Sequence, residues 1–117
     1  MIKIFHNPQC SKSREALTLV ENFCRQHDMP LEIVKYLEAP LTRSQLAALR
    51  EQLGIPAETM MRQNEDEYAS MELAQADDDA LLHALAGCPK LLQRPIVAYR
   101  DKAIIARPPH LLNDFLR

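Results

Sequence analysis

The residue with the clearest chemical potential is Cys10, set in the run His6-Asn7-Pro8-Gln9-Cys10-Ser11-Lys12-Ser13-Arg14 between an apolar alternating stretch and a helical pattern. A cysteine at a helix start meets unpaired backbone N–H groups and the positive end of the helix dipole. Both favour a thiolate and attract oxyanions. Lys12 and Arg14 add positive charge nearby, a combination that lowers a cysteine pKa into the reactive range. The chemistry this suggests is nucleophilic attack on an anion; local context alone leaves open a loop cysteine with no role. His6 and Asn7 flank the turn before Cys10 and can hydrogen-bond the loop or tune the thiolate. Serine at position 13 removes any CxxC dithiol, so a disulfide from Cys10 needs a distant or external thiol.

Three arginines sit at the ends of apolar segments: Arg62 after Met60-Met61, Arg94 before Pro95-Ile96-Val97, and Arg107 before Pro108-Pro109. Guanidinium groups bind tetrahedral oxyanions through paired hydrogen bonds. Strand ends in an α/β sheet converge on the edge where a strand-to-helix loop carrying Cys10 also lies, so an oxyanion site of arginines facing a thiolate is geometrically feasible. Each arginine taken singly also fits a surface charge. Cys24 falls on an apolar helical stripe and reads as a small buried hydrophobe, whereas Cys88, between Gly87 and Pro89, is placed where a resolving thiol could sit. His27, His83 and His110 have no mutual ligand spacing, and no metal site is expected.

The elements that must position these residues follow from pattern. Ile2 to Phe5 alternates as a strand and stops at the His6-Asn7-Pro8 turn. Ala16, Leu17, Leu19, Val20, Phe23 and Cys24 then recur on one face of a helix running from Ser11 to about Gln26. His27-Asp28-Met29-Pro30 breaks it, and Leu31 to Tyr36 alternates as a second strand, at the spacing of a parallel βαβ unit. Thr42 with Gln45 forms a capping-box sequence for a helix lined by Leu46, Leu49 and Leu53 and ended by Gly54. Residues 56–89 hold no credible strand and read as short helices, with Asp77-Asp78-Asp79 a solvated negative cap. Residues 94–99 and 102–106 form a hairpin across Arg100-Asp101, and 110–116 a closing helix.

The order βαβ, helices, ββα describes one α/β domain with a mixed sheet over 1–117 and a helical insertion at about 41–92. Composition agrees: 14 Lys and Arg against 16 Asp and Glu give a net charge of −2, with 47% hydrophobic residues, an ordinary globular balance. A near-neutral chain argues against a nucleic-acid partner. Two glycines exclude a Gly-rich phosphate loop, and three cysteines cannot form a complete disulfide framework. No apolar run approaches a membrane span and the N-terminal stretch is too short for a signal core, so a cytoplasmic protein is expected. No feature forces a dimer, and a monomer is expected.

Four ordered motifs resemble one family. His6 to Arg14 resembles the HNPxCxxSR signature of the glutaredoxin-linked arsenate reductases, the ArsC family, and in particular their shorter YfgD-like branch. Met61-Arg62 with Glu65 and Tyr68 is similar to that family's LRxxExxY segment, Arg94-Pro95-Ile96-Val97 to its RPIV strand, and Arg107-Pro108-Pro109 to its closing RPP motif. The resemblance implies a thioredoxin-like fold. It implies that Cys10 attacks arsenate, that Arg62, Arg94 and Arg107 bind the anion, that His6 supports the low thiolate pKa, and that Pro95 is a cis-proline. No bound cofactor is implied; glutathione is the co-substrate, glutaredoxin the reducing partner. His110 stands where an acidic residue often follows the RPP motif. The same family holds Spx-type regulators that bind RNA polymerase, commonly with a CxxC switch that Ser13 removes here. A polymerase-binding protein, and a thiol enzyme acting on another oxyanion or on mixed disulfides, are the alternatives.

Overall fold

A computed structural model describes residues 1–117, which fold as two compact units: Met1–Ala39 with Arg94–Arg117, and Pro40–Gln93. The second unit covers the span read as a helical insertion.

The first unit carries the sheet. Strand β1 (Ile2–Phe5) leads into helix α1 (Ser11–Gln26), which returns the chain to β2 (Leu31–Val34). β1 and β2 pair in parallel, Ile2 opposite Leu31 and Phe5 opposite Val34, so the opening is a βαβ unit. The apolar stripe of α1 buries Ala16, Val20 and Cys24, the face that covers the sheet. The helix ends where Asp28 turns through a left-handed φ of 49° ahead of Pro30. β2 stops at Val34, two residues short of the alternation. Tyr36 is nevertheless buried, which is why its apolar character extends the strand pattern without extending the ladder.

Strands β3 (Ile96–Tyr99) and β4 (Lys102–Ile105) form the hairpin and complete a sheet of order β2-β1-β3-β4, with β3 antiparallel to both neighbours. Arg100 and Asp101 both take positive φ, 54° and 64°, as a two-residue primed turn requires. β3 begins at Ile96 rather than at Arg94, because prolines cannot donate to a ladder and Pro95 lies before the first paired residue. β4 likewise ends at Ile105. The closing helix expected over 110–116 is a 3-10 turn, Pro109–Leu111, followed by a single helical turn α5, Leu112–Phe115. Ile2, Ile4, Val20, Val97, Tyr99, Ala106, Leu112 and Leu116 form one apolar cluster, so the short tail is anchored by its leucines rather than by helical length.

The second unit is helical. Helix α2 (Arg43–Leu53) opens on a complete capping box, Thr42 Oγ1 accepting the Gln45 N–H at 3.1 Å and Gln45 Oε1 accepting the Thr42 N–H at 2.9 Å, and closes on Gly54 at φ 66°. After a 3-10 turn (Ala57–Met60) come α3 (Asp66–Ser70), a second 3-10 turn (Leu73–Gln75), α4 (Asp78–Gly87) and a third (Pro89–Leu91). Asp77 caps α4 by accepting the Ala80 N–H at 2.9 Å, and Asp78 and Asp79 pair with Arg50 and Arg43. The acidic triplet is therefore a paired helix cap. One isolated bridge, Met61 opposite Leu92, is the unit's β pairing.

Candidate active site

Cys10 is the N-cap of α1, in extended backbone (φ −97°, ψ 123°), and is partly exposed. Its own N–H donates to the Asn7 carbonyl at 3.0 Å, closing the turn, and its carbonyl accepts the Arg14 N–H at 3.0 Å, starting the helix. Burial alone would raise its pKa. The backbone N–H groups of Ser13 and Lys12, the nearby charge of Arg94 and a hydrogen bond from Arg107 outweigh that effect and hold the thiol below its ordinary value. Arg107 Nη1 donates to the Cys10 sulfur at 3.7 Å and to the Arg94 carbonyl at 3.4 Å. Arg107, two residues after β4, and Arg94, two residues before β3, are thus drawn to the start of α1. Arg94 Nε is buried without a hydrogen-bond partner, leaving a guanidinium N–H unspent in the neighbourhood of the thiol.

The positive side chains that act on Cys10 differ from those expected. Lys12 contributes its backbone N–H, and its side chain is exposed; the Arg14 guanidinium donates to the Pro8 carbonyl at 2.9 Å and braces the turn. Both lie on the solvent face of the first turns of α1, while Arg94 and Arg107, remote in sequence, supply the charge. Ser11 is exposed as the first residue of that helix.

Behind the loop, Ser13 is fully buried. Its hydroxyl accepts the Asn7 N–H at 3.0 Å and forms a 2.7 Å hydrogen bond with His6 Nδ1. Asn7 Oδ1 accepts the Gln9 N–H at 3.0 Å. Burial, followed by the charges of Lys35 and Arg14, pushes the His6 imidazole below 6.5 despite the opposing effect of Glu21, so it is neutral at pH 7. His6 thus meets the loop through Ser13 and holds the backbone whose N–H groups serve the sulfur. Sequence reasoning placed Ser13 near the site without anticipating this bond. The available signal was a polar residue on the inward face of a helix, which must find a partner.

Pro95 follows a cis peptide bond, and so does Pro108, a second cis bond that no sequence feature singled out. Arg62, in the second unit, accepts a different description. Its N–H donates to the Leu91 carbonyl at 2.7 Å, its Nη2 lies 2.6 Å from Glu65, and its Nε is buried without a partner. Glu65 also faces Lys90 at 3.7 Å, which pairs with Glu67 at 2.9 Å. Cys24 is buried, and burial raises its pKa. All three cysteines are free thiols, and no helix is long and apolar enough to cross a membrane.

Comparison with known proteins, by sequence and by fold, places the whole chain in one family. The ArsC family model matches residues 5–115. Arsenate reductase of Neisseria meningitidis serogroup B is 46% identical over 92% of this chain and 91% of its own. The uncharacterized protein YfgD of Escherichia coli K12 is 43% identical over 98% of this chain and 96% of its own. The solved arsenate reductase from Vibrio cholerae superposes with a TM-score of 0.88 at 40% identity, covering 97% of this chain and 95% of that one. The fold is thioredoxin-like, and by family model, near full-length relatives and structure alike, the chain belongs to the ArsC family.

Proposed function

We propose that this protein is a thiol-dependent arsenate reductase with Cys10 as its nucleophile. The observation that carries the reading is the convergence of Arg94 and Arg107 on a cysteine N-cap, with one buried arginine N–H unpaired. A thiolate and a cationic cradle are what condensation with a tetrahedral oxyanion needs, and the chain's relatives include proteins named arsenate reductase.

In this reading the Cys10 thiolate attacks arsenic, a sulfur–arsenic bond forms, and one arsenate oxygen leaves as water after taking up protons. Arsenic is still pentavalent. Arg94 and Arg107 neutralise the oxygens, and Arg62 supplies a third guanidinium, as the family resemblance implies. The thiolate of glutathione then attacks the Cys10 sulfur. A disulfide forms, the electron pair of the sulfur–arsenic bond departs with arsenic, and arsenite is released with arsenic reduced by two electrons. Glutaredoxin reduces the mixed disulfide and restores the thiolate.

The test is arsenate-dependent NADPH oxidation coupled through glutaredoxin, glutathione and glutathione reductase. Cys10→Ser abolishes turnover. Arg94→Ala and Arg62→Ala each lower kcat/KM for arsenate on the order of 10²-fold, as removal of one donor from a developing anion does. Retained turnover in Cys10→Ser, or none in the unmodified enzyme, would overturn the reading.

A further inference from the structure

We infer that Glu65 is a positioning residue for arsenate binding: its carboxylate clamps the Arg62 guanidinium so that the remaining N–H groups stay aimed for an oxyanion. The inference rests on the reductase reading for the part Arg62 plays. Within the helical unit, Arg62 is held at both ends. Its backbone follows the isolated bridge of Met61 with Leu92, flanked by the Arg62 N–H donating to the Leu91 carbonyl at 2.7 Å and the Gln93 N–H donating to the Met60 carbonyl at 2.8 Å. The Gln93 side-chain amide adds a donation to the Met61 carbonyl at 3.2 Å. At the far end, Nη2 lies 2.6 Å from Glu65 Oε1, with only 20% and 21% of the two side chains exposed.

The spacing of Arg62, Glu65 and Tyr68 shows how the clamp is itself fixed. Glu65 is the N-cap of α3, its N–H donating to the Arg62 carbonyl at 3.4 Å and its carbonyl accepting the Tyr68 N–H at 3.1 Å, and buried Tyr68 anchors that helix. An acidic residue at a helix start ordinarily serves the unpaired N–H groups there. Glu65 makes no capping bond; its carboxylate is spent on Arg62 and, at 3.7 Å, on Lys90, which Glu67 holds in turn at 2.9 Å. Two cations and two carboxylates leave this cluster neutral, so Arg62 draws an anion through directed N–H bonds rather than through net charge. Direction is what the clamp supplies. An arginine loses much rotamer freedom on being ordered, and Glu65 meets that cost before the anion arrives. Arg62 Nε is buried with no partner, an orphan donor that a docked oxyanion satisfies.

Arsenate affinity is read without turnover, as the arsenate concentration that half-protects Cys10 from iodoacetamide. The proteins compared are the unmodified enzyme, Glu65→Ala, Glu65→Gln, Arg62→Ala and the variant carrying both Glu65→Ala and Arg62→Ala. Thermal unfolding checks that each folds; should Glu65→Ala not fold, Glu65→Asp, which keeps the charge one methylene short of the guanidinium, takes its place. The expected result is a half-protection concentration raised about ten-fold in Glu65→Ala and restored to within about three-fold by Glu65→Gln, which keeps an oxygen facing Nη2. Because Glu65 acts through Arg62, adding Glu65→Ala to Arg62→Ala changes the value by less than about two-fold. Removing a carboxylate that merely neutralised Arg62 would instead tighten arsenate. Unchanged or tighter binding in Glu65→Ala, losses that add in the double variant, an Arg62→Ala that leaves protection unmoved, or no saturable protection at all overturns the clamp. In turnover, Glu65→Ala raises KM for arsenate more than it lowers kcat. Turnover with that KM unmoved defeats the clamp alone; absent turnover with the protection results intact defeats the arsenate reductase reading alone.

Discussion

At the scale of single residues, the reactivity of Cys10 comes from competing effects on one sulfur. Burial disfavours the thiolate, while two backbone N–H groups and two arginines favour it and win. The rate of alkylation by iodoacetamide should therefore rise with pH through a midpoint below that of an ordinary cysteine. Arg94→Ala and Arg107→Ala each move that midpoint upward, because each removes positive charge that stabilises the anion. Cys24, whose pKa burial raises, should resist alkylation in the folded protein. His6 titrates in the opposite sense to a paired histidine. Its folded pKa lies below the ordinary histidine value of 6.5, so the unfolded chain takes up its proton first. Stability carried by the neutral imidazole is complete above 6.5 and is lost as pH falls from there through the folded pKa. Urea unfolding of the protein and of His6→Asn across that interval checks this. The variant is less stable at pH 7 by about 1 kcal/mol for its lost hydrogen bond, and its stability falls less steeply on acidification.

At the scale of elements, the two glycines separate backbone conformation from space. An added Cβ meets nothing within 4 Å at either Gly54 or Gly87, so packing does not distinguish them. Gly54 has φ 66° and ends α2 in the left-handed region, whereas Gly87 is the last residue of α4. Gly54→Ala should destabilise by about 1 kcal/mol, and Gly87→Ala should stabilise by up to about 1 kcal/mol, measured as shifts in the urea midpoint. Thr42→Ala removes the capping box and should also cost about 1 kcal/mol. These helix signals were legible in the sequence because a cap, a stripe and a terminating glycine act within a few residues. The strand limits were less so. The alternation of residues 31–36 continues past Val34, since a buried side chain such as Tyr36 preserves the apolar pattern with no ladder beside it.

At the scale of the whole molecule, each unit has its own buried residues, and the sheet unit is held through its central strands. Ile4, fully buried on β1 between β2 and β3, should cost about 2–5 kcal/mol when cut to alanine, read from denaturant unfolding. Amide hydrogen exchange should be slowest in β1 and β3 and faster in the single turn of α5. The tail also shows where sequence reading ends: leucines at helical spacing implied a helix over 110–116, but anchoring by Leu112 and Leu116 in the core needs only one turn. By itself the sequence determined the βαβ opening, the seat of Cys10 at a helix start, the caps of α2 and α4 and the family, all of which rest on neighbours along the chain or on ordered motifs. Tertiary structure decided which charges serve the sulfur. Lys12 and Arg14 lie beside Cys10 in sequence, yet their side chains turn to solvent or to Pro8, while Arg107 reaches the thiol across 97 positions. Pairing of β1 with β3 and of β3 with β4 brings distant strand ends to the start of α1, and no local periodicity encodes that closure.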